Sequence, residues 1–318
     1  MTRAFVFPGQ GSQAVGMGKD LAEAYPVARH TFEELDDALN VRLSRVMFEG
    51  PEGDLTLTEN AQPALMAVSM ALVRVLRQEG GFDLARHASH VAGHSLGEYS
   101  ALAAAGTFHL SDAARLLRLR GRSMQRAVPV GEGAMAAILG ADLEAVQAIA
   151  AEAAKREDGG QDVCGVANDN APGQVVVSGH KAAIERAVKL AADRGFKRAV
   201  MLPVSAPFHC ALMAPAADTM AEALETVVMH DPVVPLIANV TAGPVTDSVE
   251  IRRRLVEQVT GMVRWRESVV AMKALGVTSL VEVGTGKVLS GLAKRIDKDL
   301  SATTINGPAD VEAFLKTL

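Results

Sequence analysis

A serine set between two glycines, Gly93-His94-Ser95-Leu96-Gly97, is the stretch of this chain best suited to covalent chemistry. The Gly-x-Ser-x-Gly pattern builds a nucleophile elbow: a strand, a hard turn that pushes the serine hydroxyl outward, and a helix. Glycines flank such a turn because the backbone passes close to itself and a Cβ would collide. The flanks agree, with a short apolar strand before the turn and a helix from Leu96 to about Ala105 after it. The unpaired N–H groups at that helix start favour negative charge developing beside the serine. The plainer alternative is an ordinary glycine-rich turn that happens to hold a serine.

A serine nucleophile needs a base, usually histidine. Of eight histidines, His30 falls on a helix, His87, His90 and His109 flank elements, His180 opens a helix, and His230 ends one. His94 adjoins Ser95, but neighbours on a strand point to opposite faces. His209 follows Pro207 in a loop where the chain re-enters the larger domain, and it is the candidate base, a role that geometry decides. An esterase-type triad needs an acid between Ser95 and His209 in chain order. Asp142, Asp162, Asp169 and Asp193 lie mostly in a separate module, so no clean third member emerges. A Ser-His dyad oriented by a backbone or amide carbonyl is expected instead.

Arg120 is the third group of interest. On the helix opened by Leu110-Ser111-Asp112, with Ser111 as the expected N-cap, Ala113, Leu116, Leu117 and Met124 share one apolar stripe at about 100° per residue. Arg115, Arg118 and Arg122 share the opposite face and read as solvated, whereas Arg120 falls inside the stripe. An unpaired charge is costly to bury. Arg120 is therefore either half of an internal ion pair or a planar, bidentate clamp for a ligand carboxylate. Its place on the helix just after the nucleophile helix favours the clamp.

The elements that must hold these groups alternate. Ala4 to Phe7 reads as a strand stopped by Pro8-Gly9, Asp20 to Asn40 as one helix, and Pro63 to Gln78 as a helix with Pro63 in its first turn. From Ala134 the order is β-α-β-β-α-β, with Val163 to Ala167 a strand, Asn168 to Gly173 a turn cluster and Lys197 to Leu202 the last strand. That is a ferredoxin-like arrangement. Beyond Pro203, strands again alternate with helices, which implies a parallel sheet covered on both faces. The expected fold is α/β: a large parallel-sheet domain over 1–128 and 204–318, and an inserted ferredoxin-like domain over 129–203.

Bulk properties narrow the function classes. The 318 residues are 49% hydrophobic but only 4% aromatic, so the core is built from aliphatic side chains. A net charge of −5 without a basic stripe argues against nucleic acid. Two cysteines, Cys164 and Cys210, make no disulfide framework and no metal spacing. Pro8-Gly9 arrives before a signal-peptide core could form, and the apolar run Ala64 to Leu76 contains Arg74 and is too short for a bilayer. A cytoplasmic protein with no membrane partner is expected.

Four motifs occur together and in order: Phe7-Pro8-Gly9-Gln10-Gly11-Ser12-Gln13, Gly93 to Tyr99, Arg120-Gly121-Arg122-Ser123-Met124-Gln125, and Pro207-Phe208-His209. In these the chain resembles the malonyl-CoA:acyl carrier protein transacylases, kin of the acyltransferase domains of fatty acid and polyketide synthases, and the likeness runs over essentially its whole length. The resemblance implies an α/β-hydrolase-like large domain with a ferredoxin-like insert, and malonyl transfer to the phosphopantetheine thiol of acyl carrier protein through a malonyl-serine, supplying fatty acid synthesis. It implies Ser95 as nucleophile, His209 as base, the main-chain carbonyl of Gln258 as orienter of the imidazole, and Gln10 with the Leu96 N–H as oxyanion hole. Arg120 would pair with the malonyl carboxylate, Met124 and Asn168 would line the acyl or pantetheine channel, and Phe208 would disfavour a branched methylmalonyl group. No bound cofactor or metal is implied, CoA and phosphopantetheine being substrate carriers, and the family tendency is monomeric. An acidic carrier calls for a local basic patch, for which Lys181, Lys189 and the Arg118 to Arg122 surface are candidates. A serine hydrolase and a non-catalytic carrier-binding module are the other readings; the missing triad acid and Arg120 count against the first, and the intact site against the second.

Overall fold

The computed structural model describes residues 2–196 and 198–318. The chain begins a large sheet with β1 (Arg3–Phe7) and β2 (His90–Gly93), paired in parallel with Phe7 opposite Gly93. It then leaves to form β3 (Gly133–Leu139), β4 (Cys164–Ala171), β5 (Gln174–His180) and β6 (Arg198–Met201). It returns for β7 (Leu236–Ile237), β8 (Pro244–Val245), β9 (Ser279–Val283) and β10 (Ser301–Ile305). The large sheet has the order β10-β9-β1-β2-β7-β8 and is parallel except for the two-residue edge β8. The small sheet, β4-β5-β3-β6, is antiparallel. With helices Leu143–Ala153 and Lys181–Asp193 it has the ferredoxin-like connectivity. Lys197, expected at the start of its last strand, lies outside the described residues.

Strand β1 shows why a parallel strand reads as an unbroken apolar run. Phe5 and Phe7 face one core, shared with the helix Thr58–Gly80, while Ala4 and Val6 face another, shared with Trp265, Val269 and Leu289. Alternate side chains leave the strand on opposite faces, and both faces are covered. The Thr58–Gly80 helix is buried almost all round from Ala61 to Leu76. Its Arg74 reaches out to Glu34 at 2.6 Å. No helix among the described residues is long and apolar enough to cross a membrane.

Several local expectations change. The helix expected over Asp20 to Asn40 is two, Lys19–Ala24 and Pro26–Leu39, because Tyr25 is extended (φ −130°, ψ 120°), as a residue before proline prefers. Pro63 lies inside its helix, which starts at Thr58, rather than in the first turn. His109, not Ser111, precedes the first turn of Leu110–Arg126 and offers no side-chain cap. The turn cluster is the largest revision. Asn168 to Ala171 belong to β4, which is bulged between Val166 and Asn168 and between Asp169 and Ala171. This strand end is satisfied by the large domain: the Asp169 N–H donates to the Val263 carbonyl at 3.0 Å and the Val263 N–H to that of Ala167 at 2.8 Å. The buried Asp169 carboxylate also takes Arg266 in two-pronged fashion, at 2.9 and 2.8 Å.

Candidate active site

Ser95 ends the turn after β2 with φ +54°, a conformation that strains a residue with a Cβ. Both flanking glycines are obligatory there. A Cβ on Gly93 would lie 1.9 Å from the Gly97 carbonyl carbon, and one on Gly97 would lie 2.2 Å from the Phe7 oxygen. The strain is held by Asn239, whose Oδ1 accepts from the Ser95 N–H at 2.8 Å while its Nδ2 donates to the Gly93 carbonyl at 2.7 Å. The helix Gly97–Ala104 follows directly. The Leu96 N–H at its start has no acceptor among the described residues.

His209, in the loop after β6 and itself at φ +56°, sits with Nε2 2.8 Å from Ser95 Oγ. Its Nδ1 is 2.8 Å from the Gln258 main-chain carbonyl, an acceptor, so Nδ1 carries the proton and Nε2 offers its lone pair to the hydroxyl. Burial, then the positive charge of Arg120, push the imidazole down to about 3, against the opposing pull of the Gln258 carbonyl. The ring is therefore neutral near pH 7 and able to accept a proton. His94 bonds to Asn170 Oδ1 of β4 at 2.8 Å and does not bond the serine hydroxyl.

Arg120 is 1% exposed, on the helix Leu110–Arg126. Its Nη2 donates to Ser95 Oγ at 3.1 Å and to Gln258 Oε1 at 2.8 Å, and its Nη1 donates to Gln62 Oε1 at 2.8 Å. The partners are neutral. No carboxylate among the described residues lies within salt-bridge distance, and the buried Nε has no partner. The internal ion pair that could have explained Arg120 is absent from its contact shell. Of the three arginines expected to be solvated, Arg115 and Arg122 are exposed, whereas Arg118 is mostly covered; Arg118 and Arg122 both turn to Glu59.

Gln10, Leu96, Met124, Asn168 and Phe208 join Ser95, Arg120 and His209 around one cleft of about 860 Å³ between the two sheets' domains, and Gln258 stands buried behind it. The Gln10 side chain makes one long contact, 3.4 Å from Thr58 Oγ1, so it is free to turn toward a ligand. Asn168 reaches the cleft from β4 rather than from a turn.

Sequence reasoning missed the groups that tie these residues together. Gln62 comes from the Thr58–Gly80 helix, and Asn239 follows β7. Glu98 sits in the first turn of the nucleophile helix. Glu98 lay within the serine motif, where an acid in an apolar helix turn was a signal. The two amides carried none.

The Acyl transferase domain family model matches residues 4–308. The malonyl CoA-acyl carrier protein transacylase of Escherichia coli K12 is 48% identical over 313 residues, covering 98% of each chain. That of Bacillus subtilis 168 is 45% identical over 315 residues, covering 99% of this chain and 96% of its own. Among solved structures, an acyl-carrier-protein-S-malonyltransferase from Bartonella henselae superposes with TM-score 0.95 at 56% identity, over 100% of this chain and 99% of its own. A malonyl-transacylase solved in complex with its type II PKS acyl-carrier protein superposes with TM-score 0.94 at 44% identity over the whole of both chains.

Proposed function

The chain belongs to the malonyl CoA-acyl carrier protein transacylase family, and from that membership we propose how its own residues carry a malonyl group from the CoA thioester to the carrier thiol. The protein is an acyltransferase, and malonyl-CoA and acyl carrier protein are its substrates. Ser95 is the nucleophile. His209 Nε2 takes its proton as Oγ attacks the thioester carbonyl, and the Gln258 carbonyl holds the imidazole through Nδ1. The oxyanion is met by the Leu96 N–H and by Gln10; one such donor contributes about 3–4 kcal/mol. The tetrahedral intermediate expels the CoA sulfur, which receives the proton from His209, and malonyl-Ser95 remains. The phosphopantetheine thiol then gives its proton to His209, and its sulfur attacks the ester to reverse the sequence. CoA and phosphopantetheine act as substrate carriers.

The observation that carries this reading is a buried guanidinium on the serine hydroxyl with no carboxylate among the described residues in direct contact with it. Acylation turns Oγ into an ester oxygen, a poor acceptor, which frees the Nη2 proton it had held. A malonyl carboxylate fits that vacancy with a charge-assisted bond, whereas an acetyl group leaves it open. The arriving anion also offsets the charge that depresses His209, so the proper substrate raises the basicity of its own base. Met124 and Asn168 line the channel, and Phe208 limits branching beside the ester. We assign 1–128 and 204–318 to the catalytic domain and 129–203 to the insert. Intact-protein mass spectrometry after mixing with malonyl-CoA tests the reading: wild type should gain one malonyl group and Ser95→Ala none. Failure of wild type to acylate, or equal labelling of the variant, overturns it.

A further inference from the structure

Glu98 has no part in the chemistry above, yet it is 1% exposed and lies one helical turn beyond the nucleophile. Both its oxygens are occupied by donors. Oε1 accepts from the Asn239 N–H at 2.9 Å, and Oε2 accepts from Gln258 Nε2. The same Nε2 donates to the Ser95 carbonyl at 3.0 Å, while the other end of that amide, Oε1, accepts from Arg120. The Gln258 side chain is thus clamped between an anion and a cation, which leaves it one orientation. A flipped amide would set NH2 against the guanidinium and oxygen against the carboxylate. Glu98 reaches Asn239 as well, the residue that braces the strained Ser95 turn.

We infer that Glu98 is a positioning residue that acts as the carboxylate counter-charge of Arg120 at one remove, through the Gln258 amide, and so keeps the guanidinium anchored while its substrate-facing proton stays free. A direct ion pair would stabilise Arg120 equally well, but it would fill the place the malonyl carboxylate needs. Separating anion from cation by one neutral amide balances the charge and leaves the clamp open. Through the same residue, whose main-chain carbonyl holds His209, the carboxylate also fixes the distance between the anion site and the base.

The malonyl group brings a second anion to a cation that Glu98 already balances. Among the described residues, Arg120, on the helix Leu110–Arg126, and Tyr99, beside Glu98, are the ionisable groups that interact with this carboxyl. Burial, opposed by the Asn239 and Gln258 bonds and by Arg120, pushes it up to about 7. Malonylation therefore raises it further, and the enzyme should take up part of a proton near pH 7 on malonylation but not on acetylation.

This inference rests on Arg120 being the malonyl site, and the experiment separates the two. Single-turnover acylation of wild type and Glu98→Gln is followed with malonyl-CoA and acetyl-CoA, with a pH-indicator dye reporting proton uptake. Glu98→Gln keeps the shape but supplies one acceptor and a donor where two acceptors are needed. The expected result is a malonyl-to-acetyl preference reduced about tenfold or more, the worth of one charge-assisted contact, with proton uptake on malonylation in wild type and none in the variant. Loss of preference with uptake unchanged, or preference within twofold of wild type, overturns the role of Glu98. Should the variant not fold, equal uptake with the two substrates in wild type alone overturns it. Absence of malonyl preference in wild type sinks the Arg120 reading instead.

Discussion

Replacing Arg120 with alanine tests the site most sharply, because the same change should move two substrates in opposite directions. Arg120 makes three hydrogen bonds to neutral partners and has one buried N–H unsatisfied, so in the empty site it is held at a desolvation cost. For a bound malonyl group, it is the only arginine or lysine among the described residues that line the cleft. Removing one partner of a buried pair costs about 3–5 kcal/mol. Taking the lower end, since the bond to Ser95 Oγ is exchanged rather than gained, malonyl kcat/KM should fall roughly a hundredfold or more. An acetyl group has no carboxylate to lose a partner and leaves the freed Nη2 donor open in wild type, so its transfer should hold or rise. A second readout follows from His209. The Arg120 charge is the second-largest cause of its depressed pKa. A base works only when neutral, above its own pKa, so in wild type the acid limb of the rate profile lies far below neutral. In Arg120→Ala that pKa rises, and the acid limb of acetyl transfer should move toward neutral pH. The assay is pre-steady-state acylation with both thioesters across a pH series, with circular dichroism to check the fold. Equal loss for both substrates, with the acid limb unmoved, would reduce Arg120 to a structural role and refute the reasoning.

Two further outcomes follow. His209→Ala removes the acceptor 2.8 Å from the hydroxyl and should slow acylation by about 10²–10⁴-fold, the usual worth of a general base; a loss under tenfold in a stopped-flow burst would exclude that role. Gly93→Ala places a methyl 1.9 Å from the Gly97 backbone, where no side chain can swing aside, so the destabilisation should reach or exceed the upper end of the ~1–3 kcal/mol usual for overpacking. A denaturant midpoint near wild type would show that the elbow can relax.

How far the chain could be read without coordinates depended on the range of the forces involved. The elbow, β1 and the β-α-β-β-α-β module are specified by neighbours in sequence: glycines where the backbone touches itself, apolar runs where both faces of a strand are covered, and turn residues between. Asn168-Asp169-Asn170 misled for the converse reason. Three turn-forming residues in a row became strand because Val263, Asp169–Arg266 and His94–Asn170 satisfy them from the other domain. Arg118 misled in the same way: it is mostly covered and lies 3.8 Å from Glu59 of another helix, a neighbour that no helical wheel could supply.

Sequence alone therefore determined which side chains could do the chemistry: a serine on a forced turn, a cation on an apolar stripe, a histidine in a loop. Each is a local oddity, visible because it breaks the pattern around it. Tertiary structure alone decided how they are wired. Gln62, Asn239 and Glu98 are ordinary polar residues whose meaning is directional, and a hydrogen bond exists only once donor and acceptor from distant segments are brought within about 3 Å and aligned.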